Sequence, residues 1–309
     1  VTDACNFRCG YCLPNGYRLA PGAARVLGLD EIDRLLGGFA ELGVEKVRLT
    51  GGEPTLRRDV VDIVARAAAT PGIRQIGLTT NGYRLPTLAP RLKEAGLTQI
   101  NVSVDSLSRS TFHGVTGWDS LHAVLDGIET CLGLGLRAVK VNAVLMRGVN
   151  DEALPDFLAW IKRAPISVRF IELMRTLDNR ALFEAQHVPV SSLRDALLAE
   201  GFTASPRGPL DGPAVTYAHP EYRGTIGLIA PYGRDFCESC NRLRVSSRGD
   251  LHLCLFGKGG APLRQFLGAD GARESLKEEV CRLLVGKAPA HGLRAGDAGA
   301  TRNLSAIGG

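Results

Sequence analysis

Three stretches of this chain alternate strictly, with apolar side chains on one face and polar or charged ones on the other. Val47 and Leu49 oppose Arg48 and Thr50; Ile100, Val102 and Val104 oppose Asn101, Ser103 and Asp105; Val139 and Val141 oppose Lys140 and Asn142. Period 2 is the signature of a strand, and helical patterns separate these strands. Leu29, Ile32, Leu35, Leu36, Phe39 and Leu42 form one apolar stripe, and Leu121, Val124, Leu125, Ile128 and Leu132 another. Strands alternating with helices from residue 29 to about 174 imply a parallel sheet with helices outside. A closed eight-stranded barrel fills its interior with branched apolar side chains. A strand face carrying Arg, Lys, Asp and Asn does not fit that filling. It is either solvated or lines the lumen of an open barrel that holds a polar, anionic ligand. Parallel sheets are rarely bare on one side, which favours the lumen.

The expected fold is therefore α/β: an open partial (β/α)6 TIM-type barrel with a C-terminal α+β layer closing one side. Residues 1–174 form the barrel and residues 175–309 the second domain. Further helices are expected around 56–69, near 86–95 and over 119–134, with strands in "QIGLTTNG" and "SVRFIELM". Asn150 reads as the N-cap of a helix carrying Leu154, Phe157, Leu158 and Ile161. A sixth strand is expected to end at Val1–Asp3. Beyond residue 174 the pattern changes. Residues 175–190 read as irregular, "VSSLRDALLAE" as a short helix, "VTYAHP" and "GTIGLIAP" as antiparallel strands, and "RLRVSSRGDLHLCLF" as a hairpin turning at Arg248-Gly249. A helix is expected over 272–285.

The net charge of +5 is too mild and scattered for a nucleic-acid surface, although thirty of the 37 basic residues are Arg. No apolar run approaches the ~18 residues that span a bilayer, and no secretory signal is visible. A cytoplasmic protein with no membrane partner is expected, as a monomer or homodimer.

Eight cysteines fall at 5, 9, 12, 131, 237, 240, 254 and 281. Cys131 and Cys281 lie in helical patterns and read as small buried hydrophobes. The other six form two clusters, and clustering favours metal over disulfides. Three thiolates on a tight loop can hold three irons of a [4Fe-4S] cube and leave the fourth open to a small molecule; half of a zinc site is the alternative. The spacing C-x3-C-x2-C, with Tyr11 before the last cysteine, is more restricted than a zinc pair. One β/α unit later "LTGGEPTLR" ends a strand in Gly51-Gly52-Glu53-Pro54. Glycines at that end let backbone approach a ligand, though a tight turn explains them about as well.

With these motifs the chain resembles the radical S-adenosylmethionine superfamily. The second cluster "FCESCNRLRVSSRGDLHLCLF" and the terminal "SAIGG" resemble its GTP 3′,8-cyclase family, which acts in molybdenum cofactor biosynthesis. The resemblance implies two [4Fe-4S] clusters, one on Cys5, Cys9 and Cys12 and one on Cys237, Cys240 and Cys254. It implies that Tyr11, Gly52, Ser103 and Met174 line the S-adenosylmethionine pocket. Arg48, Thr79, Lys140, Arg242, Leu243 and Arg244 would hold GTP, with Arg169 a weaker candidate because it alternates away from Glu172 and Met174. A 5′-deoxyadenosyl radical would abstract the ribose C3′ hydrogen, and C3′ would add to C8 of guanine to give 3′,8-cyclo-7,8-dihydro-GTP. The tail with Gly308 and Gly309 would thread into the active site. A reducing electron donor would serve the reaction, and the product would pass to cyclic pyranopterin monophosphate synthase.

Departures from the family pattern include Ala4 before the first cysteine, where Arg is usual, and His252 two residues before Cys254. His252 reads as a hairpin residue, with a Cys3His zinc site as the alternative. A two-cluster enzyme modifying a peptide is the competing function, and a zinc-stabilised binding module the non-enzymatic one.

Overall fold

The computed structural model describes all residues of the chain except 20, 209, 239, 269–271 and 309, and the side chain of 272. One eight-stranded sheet organises it: β1 (Lys46–Leu49), β2 (Gln75–Thr80), β3 (Gln99–Ser103), β4 (Ala138–Leu145), β5 (Ser167–Glu172), β6 (Thr203–Ala204), β7 (Val215–Ala218) and β8 (Thr225–Ile229). The order is β1-β2-β3-β4-β5-β8-β7-β6. Strands β1 to β5 and β8 pair in parallel. Strands β7 and β6 add on antiparallel, so the curved sheet stays open. The segment expected to end a sixth strand at Val1–Asp3 contributes one parallel bridge, Thr2 to Gly51. The sixth parallel strand is β8, from the C-terminal half.

The helices are α1 (Leu29–Glu41), α2 (Val60–Ala69), α3 (Leu85–Glu94), α4 (Arg109–Thr116), α5 (Leu121–Gly133), α6 (Leu154–Arg163), α7 (Arg180–Gln186), α8 (Ser191–Ala199) and α9 (Ala272–Val285). Between sheet and helices lies a continuous core that includes Ile63, Leu78, Ile100, Ile128, Val141, Phe157 and Phe170. Fully burying such a side chain contributes about 1.5–3 kcal/mol. The apolar sheet face thus carries the stability and leaves the other face free for polar side chains.

A small sheet of β9 (Arg244–Val245), β10 (Asp250–His252) and β11 (Ala261–Pro262) stands apart from the large one, in the order β11-β10-β9. Its hairpin turns at Gly249, whose φ of +95° suits glycine. Arg248, in the same turn, donates to Asp3 at 2.6 Å and so ties the hairpin to the N-terminal segment. Helix α9 packs on α1 through Leu276 against Gly38 and through Arg273 and Lys277 paired with Glu41.

Four local expectations are corrected. Asn150 caps no helix, since Ala153 is the N-cap of α6. Its amide instead donates to the carbonyls of Asp105 and Val144, and its oxygen accepts from Met146 N. Residues 175–190 contain α7, and α4 precedes the helix expected over 119–134. Cys281 is exposed rather than buried, unlike Cys131.

Candidate active site

The first three cysteines lie on a loop at the C-terminal ends of the strands. Two parts of the chain hold it. From one side, α4 receives it: Arg8 N and Gly10 N donate to the carbonyls of Thr116 and Val115, and Phe7 packs between Phe112 and Trp118. From the other, the glycines after β1 receive it. Gly52 N donates to the Thr2 oxygen and Glu53 N to the Ala4 oxygen. A Cβ on Gly51 would lie 1.9 Å from the Thr2 oxygen, and one on Gly52 2.3 Å from the Ala4 oxygen. Only glycine admits the segment so closely. Glu53 is buried and accepts from Thr55 N, Thr55 Oγ1, Thr80 Oγ1 and Asn81 N, so "GGEP" builds a clamp. Asn81 then donates to Asn6 between the first two cysteines.

Burial pushes the Cys5 thiol up to about 11 and the Cys12 thiol up to about 12. Cys9 is also raised, first by burial and then by Asp105, Cys12 and Cys5. Burial keeps the three as neutral thiols; they would ionise together only around a cationic core, which a cluster of iron ions would supply. The donor set fits a [4Fe-4S] cluster. Tyr11 donates its hydroxyl to Asp105 at 3.0 Å, and Asp105 also accepts from Val144 N. Burial is the main reason the Asp105 carboxyl is pushed up to about 6. Asn179 donates to both Tyr11 O and Met174 O, which ties the cysteine loop to the residue expected beside it.

Register defines the polar lumen. Arg48 lies beside Gly77, Thr79 beside Asn101 and then Lys140, and Ser103 beside Asn142 and then Arg169. Arg169 is therefore a lumen residue, and it is Glu172 that turns outward, to His187 and Val190 N. Lys46, one more lumen cation, escaped sequence reading although its alternation with Arg48 signals it. Burial, then the neighbouring cations, brings Lys140 down to about 7 and Arg169 to about 9, and also lowers Lys46. Burial alone lowers Arg48, whose guanidinium reaches Thr79 Oγ1 at 3.5 Å. The exposed carboxylate of Asp211 is the acid that offsets Lys46, Lys140 and Arg169. Such a cation group is costly without an anion. Gln99 Oε1, Asn101 Oδ1 and Asn142 Oδ1, on the same face, are buried and find no hydrogen-bond partner among the described residues. They invite donors such as hydroxyl or amino groups.

Arg242, Leu243 and Arg244 belong to a second group. Burial, then Arg242, lowers Arg244 to about 10, opposed by Cys254 and Cys240. Arg242 lies over the Phe236 ring, while Leu243 packs on the main core. Cys254 joins Met174, Tyr232, Leu304 and Ile307 around Leu255 and Phe256. Cys240 is lowered although burial opposes this, because Arg242 N–H and the charges of Arg242 and Lys287 favour its thiolate. Cys237 and Cys254 are likewise free thiols, and with Cys240 they would supply the three sulfur donors a second cluster needs. His252 is half-buried in β10 opposite Arg244.

The tail spans both groups. Leu304 and Ser305 direct backbone N–H groups at Cys12. Gly308 packs against Thr50 at the end of β1, and its carbonyl accepts from Arg244 at 3.4 Å. Gly309 lies outside the described residues. In the sequence, this path is signalled by the resemblance of "SAIGG" rather than by periodicity or charge.

Fold and side chains together define an open-barrel α/β protein with a cation-bearing polar face and two groups of three free cysteines. The Radical SAM superfamily matches residues 1–161, and Molybdenum Cofactor Synthesis C matches residues 166–293. The chain is 52% identical over 314 residues to the GTP 3′,8-cyclase of Aeromonas hydrophila, covering 100% of this chain and 92% of that protein. It is 53% identical over 310 residues to that of Cronobacter sakazakii, covering 100% and 94%. Among solved structures, Streptococcus suis SuiB shares the fold at TM-score 0.57 and 12% identity, over 90% of this chain and 66% of that one. The chain belongs to the GTP 3′,8-cyclase family of the radical SAM superfamily.

Proposed function

We propose that the chain converts GTP to 3′,8-cyclo-7,8-dihydro-GTP, the first step of molybdenum cofactor biosynthesis, in the lumen between its two three-cysteine sites. Cys5, Cys9 and Cys12 hold the first [4Fe-4S] cluster, and Cys237, Cys240 and Cys254 the second. Tyr11, Gly52, Ser103 and Met174 line the S-adenosylmethionine pocket. Arg48, Thr79, Lys140 and Arg169, joined by Lys46, take the triphosphate. Arg242, Leu243 and Arg244 also contact GTP, and Gly308 and Gly309 reach into the site. The observation that carries this reading is the group of four lumen cations, Lys46, Arg48, Lys140 and Arg169, three of which have, among the described residues, the exposed Asp211 carboxylate as their acidic neighbour. A triphosphate matches that field, whereas a peptide backbone does not.

When bound, the first cluster and S-adenosylmethionine supply one-electron reduction and hydrogen abstraction at C3′ of the ribose. The chain's own residues position and seal. The Arg48 guanidinium and the Lys140 ammonium fix the phosphates, which sets the distance of the ribose from the cysteine loop. Lys140 takes up a proton as the anion arrives, because burial otherwise holds it near neutrality. The tail from Leu304 to Gly308 lies over the lumen and excludes water, as a carbon radical requires.

A reducing electron donor delivers electrons from outside, and the product passes to cyclic pyranopterin monophosphate synthase. The setting is cytoplasmic, in keeping with six cysteines clustered as metal ligands rather than spaced for disulfides; among the described residues no helix is long and apolar enough to cross a membrane. We read the chain as a monomer or homodimer. Anaerobic incubation with S-adenosylmethionine, dithionite and GTP tests the function. Both 5′-deoxyadenosine and the cyclised nucleotide are expected. Deoxyadenosine with intact GTP would remove GTP as the substrate.

A further inference from the structure

Lys287 follows α9, far in sequence from the second cysteine site, yet its ammonium reaches into that site. It donates to the carbonyl oxygens of Cys240 and Arg242, both at 3.2 Å, and lies 3.9 Å from Cys240 Sγ. Two carbonyls two residues apart therefore converge on one cation. The hydrogen bonds of its ammonium found among the described residues all go to this turn. Arg242 N–H also points at Cys240, and the Arg242 guanidinium lies over Phe236 at 5.2 Å. The ammonium thus fixes two things at once: the direction of the Cys240 sulfur and the path of the backbone from which Arg242 leaves.

We propose that Lys287 is a positioning residue of the second cysteine site, which holds the Cys240–Arg242 turn and places a fixed positive charge beside the Cys240 sulfur. This rests on the reading that Cys240 is a cluster ligand and Arg242 a GTP contact. Hydrogen bonds and positive charge at a ligating sulfur favour the reduced, more negative state of an iron–sulfur cluster, so they raise its reduction potential. The same ammonium links that potential to nucleotide binding, because Arg242 starts from the backbone it clamps. Helix α9 is in turn fixed to α1 by Arg273 and Lys277 on Glu41. The second site is thereby braced against the barrel rather than only against its own loop.

The test compares the reconstituted holoenzyme with Lys287→Met and Lys287→Arg. Each protein is analysed for iron, titrated potentiometrically with spectroscopic detection, and measured for GTP affinity by equilibrium binding. Iron and GTP binding in the unsubstituted protein decide the underlying reading separately. Lys287→Met is expected to move the potential of the second site down while the first site keeps its own. GTP should bind about threefold to tenfold more weakly, the lower part of the range for residues coupled in one network. Lys287→Arg should restore most of both. If Lys287→Met sheds the second site's iron, the Arg variant carries the test, and iron with near-normal potential there supports the charge role. Unchanged potentials and GTP affinity in Lys287→Met overturn the proposal, as does loss of that iron in both variants.

Discussion

Replacing Gly52 with alanine tests why a glycine pair follows β1. A Cβ on Gly52 falls 2.3 Å from the Ala4 oxygen and 2.6 Å from the Asp3 oxygen, where nonbonded heavy atoms settle near about 3.5 Å. The obstacle is backbone, so relief requires the cysteine-bearing segment to retreat by roughly 1 Å. That retreat stretches Gly52 N to Thr2 O, now 2.9 Å, and Glu53 N to Ala4 O, now 2.7 Å. Two bonds at about 1 kcal/mol each and about 1–3 kcal/mol of overpacking give a loss of roughly 3–5 kcal/mol. Against a typical total of about 5–15 kcal/mol, that is severe. Urea unfolding with parallel iron analysis is the assay. The midpoint should fall and the iron of the first site should be lost while the second site keeps its own. An unchanged midpoint with full iron would refute the clamp.

Three further predictions concern the lumen and its supports. Lys140 titrates near about 7 in the fold but near about 10.4 in an unfolded chain. Between those values the folded state binds fewer protons, so this group makes stability rise with pH across the window. Anion binding needs the proton back, so GTP affinity should fall above pH 7, by up to about tenfold per unit; calorimetry in two buffers should show proton uptake, and Lys140→Met should abolish it. Asp105→Ala strands the Tyr11 hydroxyl and Val144 N–H, at about 1–3 kcal/mol each; a denaturation midpoint equal to that of the parent would show that the pair is dispensable. Arg244→Ala should weaken GTP binding by about tenfold or more, the scale of a charged hydrogen bond, with the iron of both sites retained. Equal affinity in equilibrium binding would remove Arg244 from the substrate site.

Much of the barrel was legible because its signal is local. Alternation at period 2 assigned Arg48, Lys140 and Ser103 to the polar face, and the register bears this out. What escaped depends on partners distant in sequence. Helix α4 is only eight residues long, yet its end receives the cysteine loop. Asn150 has the residue type of a cap but is used to close the ends of β3 and β4. Arg169 was discounted by comparison with Glu172, when Glu172 is the residue that faces outward. The glycine pair was ambiguous between ligand approach and turn, and the structure adds a third role, close docking of the N-terminal segment. Lys287 carries no local pattern, because its meaning lies in what the folded chain brings to it, whereas the tail was expected through the resemblance carried by "SAIGG".

Iron, acid-labile sulfide and zinc, measured together on anaerobically purified and reconstituted protein, test the central claim most directly. Two three-cysteine sites that each hold a [4Fe-4S] cluster predict about eight irons and eight sulfides per chain, falling to about four of each when Cys254 is replaced by serine. Zinc without sulfide, or a full complement that survives the loss of Cys254, would contradict the account.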